Sequence, residues 1–167
     1  MLIQTTRDDH RIAWLTALAI TIHITESALP SPFGVKPGLA NIITIAVLMH
    51  FGWRIAIWVN LLRILASSLL IGTFLSPTFI LSLSGALTST FILIALSQLP
   101  GKGCGPIGYS IASAMGHMAA QFWTAYWLFI QHDGLLHLLP VLMTVALVFG
   151  VTNGIITQVI LTKINAD

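Results

Sequence analysis

The chain has 167 residues, 56% of them hydrophobic and only 7% charged, with seven Lys and Arg against five Asp and Glu. A soluble domain typically carries about 25% charged residues, so this set is too sparse to cover a globule of 18.1 kDa in water. The single cysteine excludes a disulfide scaffold and a Cys-based zinc site, and singly scattered cations exclude the basic face of a nucleic-acid binder; the composition is that of an integral membrane protein.

A helical span needs roughly 17–25 apolar residues. Cutting at Pro, Gly and charge leaves six apolar segments, at about 12–30, 39–51, 54–74, 77–99, 106–130 and 135–162. The first carries Ala13-x-x-x-Ala17 and closes near Glu26. Glu26 interrupts it and no A-x-A site follows, so it stays as a span and is not a signal peptide. The second is too short to span upright and follows the Pro/Gly-rich stretch Pro30 to Gly38, a folded-in connection. Irregular backbone at membrane depth survives where it is buried in protein or lines a cavity. The third carries Arg63 near its middle, and the fourth carries Ser82 and Ser84. The fifth has His117 and Gln121 one turn apart on one face, with a small-residue series Ala112-x-x-x-Gly116-x-x-x-Ala120. The sixth starts near His137 and holds Gly150-x-x-x-Gly154. Such stripes let helix backbones pack closely inside a membrane. Uninterrupted runs such as Ile42–Met49 and Val141–Phe149 lack the alternation of a β-barrel. The expected fold is all-α: one integral membrane domain over 1–167, a bundle of six transmembrane helices.

With the N-terminus inside, the inner segments hold Arg7, Arg11, Arg54, Lys102 and Lys163, and the outer loops hold Lys36 beside the acidic Asp133. The positive-inside rule then puts both termini in the cytoplasm, with the chain crossing the inner (cytoplasmic) membrane several times.

An ionisable group within a span is a functional candidate by default. At 1.5 Å of rise per residue, Glu26, Lys36, Asn41, Ser82, Ser84, Gln121 and His137 fall in the outer half. His117 lies one turn deeper than Gln121, and Arg63 lies near mid-membrane, within snorkelling reach of Glu26. Polar groups from every span thus converge as in a binding pocket open to the outside. Each has a structural alternative. Arg63 and Glu26 either neutralise each other or bind a ligand, and His23 is either a partner of Glu26 or part of the pocket. His117 and Gln121 either join helices or touch a ligand. His10, His50 and His132 fall at span ends, and Trp14, Trp53, Trp58, Trp123, Tyr126 and Trp127 read as interfacial belt or packing aromatics.

Enzyme readings fail on spacing. Prenyl transfer in all-helical synthases needs two Asp-rich clusters to hold magnesium against a diphosphate, and the one acidic pair is Asp8–Asp9. Gly101-Lys102-Gly103-Cys104-Gly105 lacks the Walker spacing. The six His residues form no H-x-x-x-H or H-E-x-x-H pair, so no metal and no cofactor is expected.

The stretch Glu26-Ser-Ala-Leu-Pro-Ser-Pro-Phe-Gly-Val-Lys-Pro-Gly-Leu-Ala-Asn41, with Arg63, Gly72, Leu81-Ser-Leu-Ser-Gly85 and His117-Met-Ala-Ala-Gln121, resembles the membrane family labelled heptaprenyl diphosphate synthase component I, also called the Gx transporter family. Pro37 departs from the expected branched aliphatic, and Met118 from the expected Asn. The family is in turn similar to the substrate-binding (S) components of energy-coupling-factor transporters. That resemblance implies six helices, cytoplasmic termini, and a first outer loop covering an extracellular pocket. It also implies an A-x-x-x-A on helix one that touches a membrane coupling subunit, which Ala13 and Ala17 match. The expectation is a non-enzymatic substrate-binding subunit or solitary transporter for a small molecule. Its site residues are Glu26, Lys36, Asn41, Arg63, His117 and Gln121, and Ala13 and Ala17 are for docking. The alternatives are a non-catalytic membrane component associated with heptaprenyl diphosphate or isoprenoid quinone metabolism, and a structural membrane subunit.

Overall fold

The computed structural model describes residues 7–28, 38–98 and 105–164. Lys36 and Pro37, most of the first connection, and the Gly101–Cys104 stretch lie outside the described residues. The fold is all-helical, with six α-helices: α1 Arg7–Ala28, α2 Ala40–Phe51, α3 Trp53–Ile71, α4 Pro77–Ser97, α5 Pro106–Leu128 and α6 Leu139–Ile164. A 3₁₀ turn, Asp133–Leu138, leads into α6. No strand occurs among the described residues.

The helix ends follow local chemistry. Ser76 caps α4, its Oγ accepting from Phe79 N at 3.3 Å, and Pro77 takes the first helical position, where no backbone donor is needed. Pro106 opens α5 in the same way. Gly52, at φ 89°, reverses the chain between α2 and α3, a backbone conformation that side chains resist. Gly72, at φ 76°, closes α3 in the left-handed conformation, with Thr73 N donating to Ser68 O at 2.9 Å.

Three stretches, Trp53–Ile71, Pro77–Ser97 and Asp133–Ile164, are long and apolar enough to cross a membrane. Helix α1 has 22 residues and α5 has 23, long enough to span, but neither is among these three stretches. Helix α2, with 12 residues, extends about 18 Å and is too short to cross upright. Large apolar side chains are exposed on each of the six helices. Trp14, Trp53 and Trp58 face outward toward one end, and Trp123 and Trp127 toward the other, the arrangement of aromatic belts at two interfaces. The molecule is a multi-pass membrane protein by these features.

Helix α2 lies against α1, α3, α5 and α6. Ala40, Ile42, Thr44, Ile45, Val47 and Leu48 are all buried, so it is apolar on every side, as a core helix must be. Helix α1 buries Thr16, Ala19 and Glu26, with Ile12 and Leu15 packed on the core beside them, a helical periodicity along one face. Ala13 and Ala17 lie on the opposite, exposed face. The other small residues serve internal packing. A Cβ at Gly154 would come 2.6 Å from Ile107 Cα and one at Gly150 3.0 Å from Ile111 Cα, so α5 and α6 touch backbone to backbone. Gly116 holds Ile92 of α4 against α5 in the same way.

Candidate functional site

A cavity of about 260 Å³ lies between α3 and α5 and is lined by all six helices. It opens toward the end of the bundle at which α1, α3 and α5 finish and α2, α4 and α6 begin. Helix α1 contributes His23 and Glu26, α2 contributes Asn41, α4 contributes Ser82, and α5 contributes His117 and Gln121. Arg63, Ser67 and Ser68 come from α3 and Asn153 from α6, and Ile64, Phe79 and Phe149 supply apolar wall.

Glu26 is 2% exposed. Its Oε1 accepts from the backbone N–H of Gly38 and from Leu39 N at 3.2 Å. These are among the orphan donors at the start of α2, where the helix dipole also favours a negative charge. Of the two alternatives for Glu26 and Arg63, a direct bond between them is not made among the described residues: Glu26 is engaged by backbone, and Arg63 Nη2 donates to Asn60 Oδ1 at 2.5 Å. Asn60 is a member of this network that its place in an apolar run did not single out. Its Nδ2 donates to Thr90 Oγ1 at 2.5 Å and to Ala86 O at 3.4 Å, so Asn60 ties α3 to α4 and orients the guanidinium. Arg63 Nε is buried and has no hydrogen-bond partner among the described residues.

Asn41 has two attachments. It lines the cavity, and its Nδ2 donates to Ser113 Oγ on α5 at 2.9 Å. His117 and Gln121 reach the cavity across Gly85 of α4, where a Cβ would come 2.8 Å from the His117 ring and 2.9 Å from Gln121 Cγ. The α4 backbone therefore sets the position of both side chains.

Two expected polar contributors lie elsewhere. Ser84 is two residues from Ser82, and positions i and i+2 face different sides of a helix; its hydroxyl donates to its own backbone at Leu81 O, 2.9 Å away. His137 is exposed in the 3₁₀ turn, and α6 instead contributes Asn153, about 21 Å from the start of that helix at 1.5 Å per residue. Asn153 is 4% exposed and stands close to Gly38, whose Cβ would be 3.8 Å from its Nδ2. The cavity thus reaches deeper than an outer-half reading implies. Among the described residues, no three His, Cys, Asp or Glu side chains come together.

The family model described as Heptaprenyl diphosphate synthase component I matches residues 15–160. The chain belongs to that family. No curated protein and no solved structure matches it.

Proposed function

From family membership and the cavity, we propose that this chain is a membrane-embedded substrate-binding subunit or solitary transporter for a small molecule, and not an enzyme. The carrying observation is the cavity, to which all six helices bring side chains and which combines buried polar groups with apolar wall. Ligand sites are typically such concave, mostly apolar spaces with a few placed polar groups. A lateral groove with a basic rim would favour a partner in isoprenoid metabolism, and a solid bundle would favour a structural subunit.

In this reading the cavity opens to the outside. Helices α1, α3 and α6 carry Arg11, Arg54 and Lys163 at the opposite end, while Asp133 stands at the cavity end; under the positive-inside rule the cation-rich end is cytoplasmic. Six crossings would then leave both termini in the cytoplasm. Ala13 and Ala17, exposed on α1 toward that cytoplasmic end, would allow a membrane coupling subunit to approach closely. No ATP-binding motif occurs in the chain, so a partner or an ion gradient would supply energy.

The site is tested by comparing Asn41→Ala, Gln121→Ala and Lys36→Ala with the parent protein for folding and for ligand retention or uptake. The expected result is loss of the ligand in folded protein. Full retention in all three variants would make these residues architectural and overturn the assignment.

A further inference from the structure

The geometry points to a small organic monoanion as the cavity's ligand, its negative group seated on Arg63 and its body on Ile64, Phe79 and Phe149. This rests on the reading of the cavity as a binding site and names the chemistry that the site selects.

The inference starts from a buried guanidinium most of whose hydrogen-bond donors the fold leaves unmet. Arg63 is 7% exposed and lines the cavity. A guanidinium has five N–H donors, and only its bond to Asn60 is made within the described structure, with Nε buried and unpartnered. The helix junction does not need Arg63, because Asn60 makes the bonds to α4. Glu26 acts on this charge across the cavity but makes no hydrogen bond to it, since its carboxylate serves the start of α2. Buried donors without acceptors are unfavourable, and a guanidinium matches a carboxylate or a phosphate oxygen pair in shape as well as charge. An anion arriving in the cavity would supply the missing acceptors.

Two observations narrow the class. Arg63 is the one permanently charged cation among the described lining residues, and Glu26 lines the same space, so the described lining offers a polyanion such as a diphosphate one positive and one negative group. The volume, about 260 Å³, sits at the lower edge of the usual range for ligand pockets, roughly 300–1,000 Å³, and cannot enclose a heptaprenyl chain. A singly charged, compact molecule with an apolar body fits both limits.

The test uses the purified full chain in nanodiscs of phosphatidylcholine, titrated calorimetrically with benzoate, benzamide, benzylamine and pyrophosphate. Benzoate should bind about tenfold or more tightly than benzamide, the factor expected for a charge-assisted bond, and benzylamine and pyrophosphate should bind more weakly still. Arg63→Gln should erase the preference for benzoate over benzamide, and Arg63→Lys should restore part of it. Equal binding of benzoate and benzamide to the parent protein would overturn the anion assignment while leaving the cavity as a binding site. That comparison needs no variant, so it stands even where Arg63→Gln fails to fold. Preference for pyrophosphate, or no binding of benzoate, would likewise overturn it, and the cavity reading then stands or falls on ligand retention by the parent protein. Adding phosphatidylglycerol to the discs distinguishes the source of the anion: unchanged benzoate affinity supports a free small molecule, and a tenfold loss would overturn it in favour of a lipid headgroup.

Discussion

Glu26 joins the two ends of the first connection. A carboxylate buried on α1 that accepts from the backbone at the start of α2 is a structural part as well as a cavity wall. Glu26→Gln keeps the shape and removes the charge, and hydrogen bonds to charged groups contribute about 1.5–3 kcal/mol. The variant should therefore unfold at a lower temperature in detergent, and an unchanged midpoint would show that the carboxylate charge is not needed there. A pair of glycines separates site from scaffold. Gly85→Ala pushes against the His117 ring and Gln121 Cγ, which can shift into the cavity, whereas Gly154→Ala pushes against Ile107 Cα, which can move only with its helix. Overpacking typically costs about 1–3 kcal/mol. Gly154→Ala should be the less stable of the two in thermal unfolding, and Gly85→Ala should show the greater loss of ligand retention relative to its stability change. The reverse order would mean that α4, not α6, fixes the bundle.

Among the elements, several helix ends marked by backbone chemistry were legible: Pro77 and Pro106 open α4 and α5 where expected, and Gly52 closes α2, whereas Gly72 closes α3 inside the apolar run expected to reach residue 74. Helix α1 begins at Arg7, ahead of the apolar segment, because a helix can continue through charged residues that hydropathy reads as flank. The 3₁₀ turn before α6 was read as part of the last span for the opposite reason, its leucines being apolar regardless of backbone. The site was legible to the extent that Glu26, Asn41, Arg63, Ser82, His117 and Gln121, polar residues interrupting apolar runs, line one cavity. It was missed where facing decides the outcome, as at Ser84, or where depth does, as at Asn153. Nothing local distinguishes Asn60, a network residue, from Asn153, a lining one; only the packing of neighbouring helices assigns them. The exposed stripe on α1 carries its own expectation. Ala17→Trp should leave thermal unfolding within about 0.5 kcal/mol of the parent, as exposed substitutions usually do, and should abolish co-purification with a coupling partner. Strong destabilisation would return the stripe to internal packing.

At the scale of the whole molecule, three long apolar stretches, a short core helix and two further long helices enclose one cavity that draws on every helix. Burying Arg63 has a cost: a charged side chain at mid-span is unfavourable by about 2.5–3.5 kcal/mol on the insertion scale, so the packing that holds it beside Asn60 is set against the stability of the empty protein. The proposed orientation is checked by cysteine labelling in intact cells. A cysteine at Asp133 should react from outside and one at Lys163 only after permeabilisation; the opposite pattern would turn the cavity toward the cytoplasm.

Whether the cavity holds a small molecule is read by native mass spectrometry of the gently purified chain beside Ala114→Phe, which fills the cavity from its α5 wall. The parent protein should carry a retained small-molecule mass that is absent from the folded variant. A parent protein carrying no such mass after exposure to cell extract, or a folded variant that retains it equally, would mean that the cavity is not a binding site.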